Sequence, residues 1–447
     1  MKFYSTNKKS PKVSFKEALI KGQAPDKGLY MPEEIPQFSL EELKALKDKE
    51  YYEIALAVFT KFIHDEIDPQ ALAELTKDAY DYAVPLEPVY DNNYVMRLDQ
   101  GPTASFKDFA ARMMGRLMNY YLKKDNRDLL ILTATSGDTG SAIANAFYGL
   151  DNINVVVLFP EAEVSDRQRK QMTTLGKNVH IIGLDAKFDD CQALVKQAFA
   201  DPDLDGLNLS SANSINIGRL IPQAVYYIYA YLKLVNTVGD PIVFSVPSGN
   251  FGDMMGGLIA KHMGLPVEKF VIVTNENDEF PKFLETGKYQ KIDPSKNCLS
   301  SAMNVGHPSN LARVVALYGG QMDEIGQIHQ EPNLEAMRKD IFSVSVADEQ
   351  TKDMIKTAYE KNHLLLEPHG AVGWAGLEKY LETVPTKTVA VSLETAHPAK
   401  FPELIRDILN LDPELPKSLE GLEEKAESFD RLPKDYAAFK AYLSETF

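Results

Sequence analysis

The chain has 447 residues, 44% of them hydrophobic, and its formal net charge of −16 argues against nucleic acid or an anionic membrane as a partner, since such partners need clustered Lys and Arg. It contains no run near the roughly 18 to 20 apolar residues of a membrane span, and Met1 to Ser5 carry no signal-peptide core, so we expect a cytoplasmic protein. Cys191 and Cys298 lie far apart and the eight histidines show no ligand spacing, so neither a disulfide framework nor a metal is predicted.

The chain begins with a helical region and continues with an α/β region. Residues 1–85 carry mostly helical patterning and no glycine-rich turn, so we assign them to a supporting N-terminal module. From about residue 128, short apolar runs alternate with helical stretches, which predicts parallel sheets covered by helices on both faces within residues 86–410. The runs are Leu129 to Leu132, Val155 to Leu158, Val179 to Ile182, Ile242 to Val246, Phe270 to Val273 and Val389 to Leu393.

One segment interrupts this alternation. Residues 286–345 contain Gly306 to Asn310 and the pair Gly319 and Gly320, and we interpret them as an insertion that covers a site or mediates contacts between subunits. Residues 411–447 form a charged, proline-punctuated C-terminal tail without a site signal.

Lys107 is the first candidate reactive group. It lies within Gly101 to Phe109, where Thr103 is predicted to cap a helix and to place Lys107 in its first turn. The positive end of the helix dipole disfavours an ammonium there, and burial beside Phe106 and Phe109 lowers a lysine pKa in the same direction. A neutral amine of this kind condenses with an aldehyde and removes protons. Most lysines are solvated surface charges, so this pattern needs support from other segments.

Two glycine-rich turns each follow an apolar run and open a helix. They are Thr135 to Gly140 and Ser248 to Asp253. Backbone N–H groups at such helix starts bind anions, and since ligands lie at the carboxyl ends of parallel strands, we expect both turns on the same rim. For the turn Ser248 to Asp253 taken alone, a tight turn that binds no ligand stays open. The triphosphate-loop pattern G-x-x-x-x-G-K-[ST] is absent, and no G-x-G-x-x-G follows the first strand.

A polar cluster precedes the apolar helix predicted over residues 220–234. It consists of Asn213, Ser214, Asn216 and Arg219. Amides with one guanidinium suit a phosphate group, and a capped helix start with a surface arginine is the alternative.

The order of these segments resembles that of the threonine synthase family over nearly the whole chain. Val13 to Leu19 and Gly28 to Pro32 look like the family's N-terminal module, and the stretches around Lys107, Asn216 and Thr395 are long and specific. The resemblance implies a tryptophan-synthase-β-like (fold type II) arrangement of two parallel-sheet α/β subdomains with pyridoxal 5′-phosphate in the cleft between them. It also implies conversion of O-phospho-L-homoserine and water to L-threonine and phosphate.

The resemblance further implies residue roles, with Lys107 as the catalytic residue that carries the cofactor. The other cofactor-binding residues are predicted to be Asp138, Gly249, Asn250, Phe251, Gly252, Asp253 and Thr395. The substrate-binding residues are predicted to be Ser105, Ser136, Gly137, Thr139, Asn213, Ser214, Asn216 and Arg219. His397 and Lys400 are further candidates near the site.

Two of these roles have competing interpretations. The Thr395 hydroxyl is expected on the pyridine nitrogen, whereas the pattern alone favours a cap for the segment Pro398 to Lys400. Many relatives have asparagine where this chain has Asp138. An ionised carboxylate only accepts hydrogen bonds, which counts against a direct bond from Asp138 to the cofactor's 3′ oxygen.

Three other functions stay open. A phospho-lyase of the same fold releases phosphate and 2-oxobutyrate without capturing water. A threonine or serine dehydratase has no use for the segment Asn213 to Arg219, and a non-catalytic binding relative has no use for Lys107. The expected partner is the small-molecule substrate O-phospho-L-homoserine, with neither nucleic acid nor membrane, and a homo-oligomer is left open.

Overall fold

The computed structural model describes residues 1–135, 137–384 and 387–447. The strands of the described residues are β1 (Phe3–Ser5), β2 (Tyr30–Pro32), β3 (Leu86–Tyr90), β4 (Asn93–Arg97), β5 (Leu129–Ala134), β6 (Ile153–Pro160), β7 (Val179–Leu184), β8 (Leu209–Ser210), β9 (Ile242–Pro247), β10 (Val267–Thr274), β11 (Gln321–Met322), β12 (Ile328–Gln330), β13 (Ile341–Ser345), β14 (Val389–Glu394) and β15 (Asp430–Leu432).

The α-helices of the described residues are α1 (Phe15–Lys21), α2 (Leu40–Ala45), α3 (Tyr51–Ile63), α4 (Pro69–Ala79), α5 (Lys107–Asp125), α6 (Asp138–Phe147), α7 (Asp166–Thr173), α8 (Phe188–Ala200), α9 (Ile221–Leu234), α10 (Gly252–His262), α11 (Glu279–Thr286), α12 (Leu311–Leu317), α13 (Leu334–Asp340), α14 (Asp348–Asn362), α15 (Pro368–Thr383), α16 (Pro402–Leu409) and α17 (Tyr436–Thr446). Short 3₁₀ turns cover Pro202–Leu207, Ile217–Arg219, Ser301–Met303, Pro398–Lys400 and Lys417–Leu419.

Two sheets form the main body. The larger has the strand order β13-β10-β9-β14-β4-β3 and is parallel except for the edge strand β3, and the smaller is a parallel sheet with the order β15-β7-β6-β5-β8. The predicted fold class, two parallel-sheet α/β subdomains, is therefore confirmed. Strands β5 and β9 are buried along their whole length, as expected when helices cover both faces of a sheet.

The N-terminal module packs against the helices that carry the candidate site. Its helices α1 to α4 are accompanied by the antiparallel pair β1 and β2, and capping boxes at Ser14 and Ser39 fix the starts of α1 and α2. Helix α3 packs on α9, and α4 packs on α5, whose first residue is Lys107. The module thus supports the helix of the candidate reactive lysine.

The segment at residues 286–345 is only partly an insertion. It contains α12, β11, β12 and α13, but its last residues form β13, which pairs in parallel with β10 from Phe270 opposite Ile341 to Thr274 opposite Ser345. The interpretation of the whole segment as an insertion was wrong, because the chain rejoins the larger sheet at residue 341. The tail likewise adds β15 to the edge strand β7, and α17 packs on α8.

The two glycine-rich turns lie at the carboxyl ends of strands in different sheets. One follows β5 in the smaller sheet and the other follows β9 in the larger sheet. The expectation of a single rim was therefore wrong, because β5 pairs with β6 and β8, whereas β9 pairs with β10 and β14. Among the residues that the structure describes, no helix is both long and apolar enough to cross a membrane.

Candidate active site

Lys107 is the first residue of α5. The helix begins after Phe106 without a side-chain cap, so the prediction that Thr103 caps it was wrong. Thr103 is instead tied to Asp108: its backbone N–H and its hydroxyl donate to the two carboxylate oxygens at 2.8 and 2.6 Å. The Asp108 side chain, in the first turn of α5, therefore holds the loop that precedes the helix. Lys107 keeps its predicted place in that first turn.

The Lys107 amine lies in a buried, charged environment. Only 12% of its side chain is exposed, and its Nζ lies 4.5 Å from the centroid of the Phe106 ring and 4.0 Å from Asp138 Oδ2. Burial lowers the pKa of Lys107, Asp138 opposes this shift, and the cations Lys400 and Arg219 add to it. The predicted direction of the pKa is confirmed, with burial as its largest cause.

A backbone bridge joins the loop before Lys107 to the loop after β14. Ser105 pairs with Ala396, the Phe106 N–H donates to the Thr395 carbonyl oxygen at 2.9 Å, and the His397 N–H donates to the Ala104 carbonyl oxygen at 3.0 Å. The Ser105 hydroxyl is buried and has no hydrogen-bond partner among the residues that the structure describes. The bridge therefore brings the predicted site residues Ser105, Lys107 and Thr395 together.

Thr395 lies against a buried carboxylate. Its hydroxyl donates to Oε1 of Glu367 at 3.4 Å, and the Glu367 carboxylate also accepts from the backbone N–H groups of His369 and Gly370 and from His369 Nδ1. The alternative role of Thr395 as a cap for the turn Pro398–Lys400 is excluded, because the His397 side chain caps that turn. Thr395 therefore does not cap this turn, and its contact with the cofactor's ring nitrogen stays a prediction.

The turn after β5 places backbone donors at the start of α6. Ser136, a predicted substrate-binding residue, lies outside the described residues. Gly137 has φ of 137°, and a Cβ there would meet the Gln168 side chain at 2.5 Å, so the turn requires glycine. Helix α6 starts at Asp138, and the Thr135 hydroxyl accepts from the N–H groups of Gly137 and Gly140 at 2.9 and 2.8 Å. The candidate donors for an anion in this first turn are therefore the N–H groups of Asp138 and Thr139.

Asp138 is surrounded by donors. Its Oδ1 lies 2.7 Å from Lys400 Nζ and accepts from Gln168 Nε2 at 2.9 Å, and its Oδ2 faces Lys107. Burial alone would raise the pKa of Asp138, but Lys400 and Lys107 outweigh it and hold that pKa below its usual range. The carboxylate thus binds these lysines.

The turn after β9 forms a second anion-binding geometry. Helix α10 begins at Gly252 without a side-chain cap, and Phe251 adopts a left-handed conformation with its ring packed on Phe280 at 4.9 Å. A Cβ on Gly249 would lie 2.8 Å from the Ala302 carbonyl oxygen, so only glycine fits. Asn250 Oδ1 accepts from the Ser309 hydroxyl at 3.2 Å, so this side chain is already engaged within the protein. What the turn offers an anion is therefore its backbone N–H groups.

Asp253 points its carboxylate towards two tyrosines and away from solvent. The hydroxyls of Tyr226 and Tyr227 donate to its Oδ1 at 2.5 and 2.6 Å, and its Oδ2 is buried without a partner. Burial raises the pKa of Asp253 to about 6. Asp253 therefore contributes to the turn through its backbone N–H and anchors α10 to α9 through its side chain.

The segment before α9 divides into supporting and available groups. The Asn216 amide donates to the carbonyl oxygens of Leu19 and Ser211 at 2.8 and 3.0 Å. Both N–H donors of this fully buried residue are thus used in supporting the segment, and its contact with substrate stays a prediction. Asn213 accepts from Thr133 at 2.7 Å and is half-buried.

Arg219 and Ser214 are the available members of this segment. Arg219 donates from Nη1 to the Ala212 carbonyl oxygen at 2.6 Å, but its buried Nε has no partner in the described part of the chain, and burial lowers the pKa of Arg219 to about 10. Half-buried Ser214 faces the start of α10, since a Cβ on Gly252 would lie 3.3 Å from the Ser214 Cβ. The segment thus reaches the turn that follows β9.

Several buried groups at the site were not predicted from the sequence. Glu367 and His369 begin α15, and their only sequence signal is the acidic residue followed by proline at a helix start. Gln168 and Arg313 carry no signal at all, because an isolated polar residue in a helical pattern reads as a solvated surface position. Their contacts depend on tertiary packing.

The residues present fit pyridoxal phosphate. A buried amine lies near two helix starts, after β5 and after β9, whose backbone N–H groups are donors for anions. The orphaned Ser105 hydroxyl and Arg219 Nε are buried donors of the kind that a bound anionic ligand satisfies. The donor set therefore matches a phosphorylated aldehyde that reacts with an amine.

Comparisons with known proteins agree with this geometry. A family model described as "Pyridoxal-phosphate dependent enzyme" matches residues 86–395, and the models "Threonine synthase N terminus" and "Threonine synthase, C-terminal" match residues 2–80 and 370–443. A threonine synthase from Haemophilus influenzae is 39% identical over 449 residues, and one from Serratia marcescens is 38% identical over 444 residues; each alignment covers 99% of both chains.

A solved structure gives the same answer. The crystal structure of pyridoxal-phosphate-bound threonine synthase from Brucella melitensis matches with a TM-score of 0.94 and 37% identity, covering 100% of this chain and 99% of the other. Sequence, family models and fold agree over the full length. The chain therefore belongs to the threonine synthase family of pyridoxal-phosphate-dependent enzymes.

Proposed function

We propose that the chain converts O-phospho-L-homoserine and water into L-threonine and phosphate, with Lys107 as the residue that carries pyridoxal phosphate and moves protons. The observation that carries the proposal is the Lys107 amine, 12% exposed, with a lowered pKa and 4.0 Å from Asp138 at the start of α6. Full-length similarity to threonine synthases supports the substrate.

The cofactor's place follows from the donors around Lys107. Its aldehyde would bind Lys107, its phosphate the backbone N–H groups of the turn from Gly249 to Asp253, and its ring nitrogen the Thr395 hydroxyl. When bound, pyridoxal phosphate withdraws electrons from the substrate and makes its Cα and Cβ protons acidic. The Thr395 hydroxyl donates to Glu367, so its single proton would turn from Glu367 to the ring nitrogen when the cofactor binds.

The two anionic ends of the substrate would meet different elements. Its carboxylate suits the N–H groups at the start of α6, next to Gly137 and Thr139. Its phosphate suits Arg219 with Ser214 and Asn213, since a guanidinium binds phosphate through charge-assisted hydrogen bonds. This division places the reacting carbons between α6 and the segment before α9, where Lys107 lies.

Lys107 then handles the protons. Once the substrate's amino group had replaced Lys107 on the cofactor, the freed neutral Nζ would take the proton from the substrate Cα, and a neighbouring base would take a second proton from Cβ as phosphate leaves Cγ. Arg219 stabilises the charge on the departing phosphate. Lys107, or a group beside that phosphate, would return a proton to Cγ. Water would then add across Cα and Cβ, with its hydroxyl on Cβ and a proton returned to Cα, which completes threonine. Water admitted before this point releases 2-oxobutyrate instead, so closure of the site is part of the proposal.

The test is a product assay on the cofactor-loaded protein. Purified enzyme is incubated with O-phospho-L-homoserine, and phosphate, threonine and 2-oxobutyrate are quantified together. Equal phosphate and threonine support the proposal. Phosphate with 2-oxobutyrate identifies a phospho-lyase, and no phosphate overturns the substrate.

A pair of variants tests the role of Lys107 itself. Lys107→Ala is expected to lower turnover by at least about a thousand-fold, since the same amine serves as carrier and as general base. The matched control is Lys123→Ala, because Lys123 lies on the same helix and is exposed. Turnover by Lys107→Ala near that of the control contradicts the assignment.

The same proposal covers organisation and location. It divides the chain into an N-terminal module of residues 1–85, a catalytic region of residues 86–410 and a tail of residues 411–447. It places the enzyme in the cytoplasm, which the buried free thiols of Cys191 and Cys298 support, since secreted proteins favour disulfides. Whether the enzyme forms a homo-oligomer is decided by light scattering of the purified protein.

A further inference from the structure

Asp138 has a lysine on each side. Its Oδ1 lies 2.7 Å from Nζ of Lys400, whereas its Oδ2 lies 4.0 Å from Nζ of Lys107. Lys400 is wholly buried, and its Nζ also donates to the Thr103 carbonyl oxygen at 2.9 Å. The closer partner of Asp138 is therefore Lys400, at the C-terminal end of the turn Pro398–Lys400, and not the lysine that carries the cofactor.

A buried carboxylate near an amine has a large effect on that amine. An opposite charge within about 4 to 6 Å favours the charged form of a group and moves its pKa by about 1 to 3 units. If Asp138 had Lys107 as its only cation, the pair would hold Lys107 as an ammonium. An ammonium has no lone pair with which to attack an aldehyde or take a proton.

We propose that Lys400 is a positioning residue that binds Asp138 and thereby keeps the Lys107 amine uncharged and reactive. The inference rests on the proposed function, in which Lys107 carries the cofactor. In that condensation the Lys107 lone pair adds to the aldehyde carbon, the nitrogen loses its protons, and the aldehyde oxygen leaves as water. The bond from Lys400 to Thr103 holds the cation beside the loop that leads into α5.

The other charges around Lys107 do not replace Lys400. Arg219 is a cation on the segment before α9, Glu367 is an acid at the start of α15, and Asp253 is an acid on α10 whose pKa Lys107 lowers. Only Asp138 lies within 4.0 Å of Lys107 Nζ as an ion-pair partner among the described residues. Lys400 is therefore the cation that neutralises the one acid next to the amine.

The experiment measures how fast apoenzyme takes up pyridoxal phosphate at different pH values. The uptake rate rises as the Lys107 amine loses its proton, so the midpoint of the rate against pH reports on that amine. Borohydride reduction followed by mass spectrometry identifies the lysine that carries the cofactor. The variants are Lys400→Met, Lys400→Arg, Asp138→Asn and the double variant Lys400→Met/Asp138→Asn, with Lys417→Met as an exposed control.

We expect Lys400→Met to raise the midpoint of cofactor uptake by about 1 pH unit or more, because Asp138 then has Lys107 as its only neighbouring lysine. Lys400→Arg and Lys417→Met are expected to keep the wild-type midpoint. The double variant is expected to return towards it, since the acid is gone as well. If Lys400→Met only disturbed the structure, cofactor uptake would be slower at every pH, and it would stay slow in the double variant.

The results that would contradict the proposed function differ from those that would contradict the role of Lys400. Cofactor trapped on another lysine overturns the proposed function, and the inference with it. Cofactor trapped on Lys107 with an unchanged midpoint in Lys400→Met overturns only the positioning role. If Lys400→Met does not fold, Asp138→Asn alone decides, because removal of the acid is expected to lower the midpoint and an unchanged midpoint contradicts the inference.

Discussion

The buried guanidinium of Arg313 donates from Nη2 to the carbonyl oxygen of Ile215 at 2.6 Å. Its other donors reach the carbonyl oxygens of Tyr30 and Ser214 and the side-chain oxygen of Asn310. All four acceptors are neutral, and burial lowers the pKa of Arg313 to about 9. One side chain on α12 thus ties the N-terminal module to the segment predicted to bind substrate phosphate.

Arg313→Met is expected to lower the free energy of unfolding by about 3 kcal/mol or more, because it leaves several buried acceptors unsatisfied. It is also expected to raise KM for O-phospho-L-homoserine, since Ser214 and Ile215 lose their anchor. Arg313→Lys keeps the charge but loses the planar guanidinium. Its free energy of unfolding and its KM are therefore expected to lie between those of wild type and those of Arg313→Met. Urea unfolding and steady-state kinetics measure both effects.

The control for this prediction is Arg127→Met, because Arg127 is exposed and its side chain makes one long hydrogen bond within the described residues, to Asn208 at 3.5 Å. It is expected to leave both stability and KM near wild type. Equal stability of Arg313→Met and Arg127→Met would show that the four buried bonds contribute nothing.

Arg219→Met tests the predicted phosphate site. Loss of charge-assisted hydrogen bonds is expected to lower kcat/KM for O-phospho-L-homoserine roughly 10- to 100-fold. Inhibition by L-homoserine, which has no phosphate, is expected to stay the same, because Arg219 is predicted to contact only the phosphate end of the substrate. Weakened inhibition by L-homoserine to the same extent contradicts the assignment and indicates a general loss of structure.

Thr395→Val tests the predicted contact with the cofactor's ring nitrogen. Valine keeps the shape and removes the hydroxyl, so the affinity of apoenzyme for pyridoxal phosphate is expected to fall about tenfold. Thr395→Ser retains the hydroxyl that donates to Glu367 and is expected to bind like wild type. Titration of apoenzyme with the cofactor, followed by absorbance, measures both; equal affinities for all three proteins would exclude the contact.

Local patterns predicted the architecture well. The apolar runs became β5, β6, β7, β9, β10 and β14, since continuous apolar runs between helices are typical of doubly covered parallel sheets. The place of Lys107 in a first helical turn was also predicted, although Thr103 proved to bond Asp108 and not to cap the helix. Both kinds of prediction depend only on residues that are close together in the sequence.

Contacts between distant segments could not be predicted in this way. The Lys400–Asp138 pair joins residues 262 positions apart in sequence, and Arg313 joins three segments through carbonyl groups that every residue possesses. The division of the strands between two sheets likewise depends on pairing partners and not on strand composition. These features follow only from the packed chain.

Glu279 provides a prediction about stability and pH. It is 2% exposed, its Oε2 has no hydrogen-bond partner, and burial raises its pKa from 4.5 to about 7. Between these values the folded chain holds a proton that the unfolded chain has lost, so stability falls as pH rises from about 4.5 to 7, by about 3 kcal/mol in total. Glu279→Gln carries no charge at any pH and is expected to be more stable than wild type at pH 8 and similar to it at pH 4.5. Urea unfolding across this range measures the difference, with Glu335→Gln at an exposed site as the control; parallel pH profiles for wild type and Glu279→Gln would show that Glu279 ionises in the folded state as freely as in the unfolded chain.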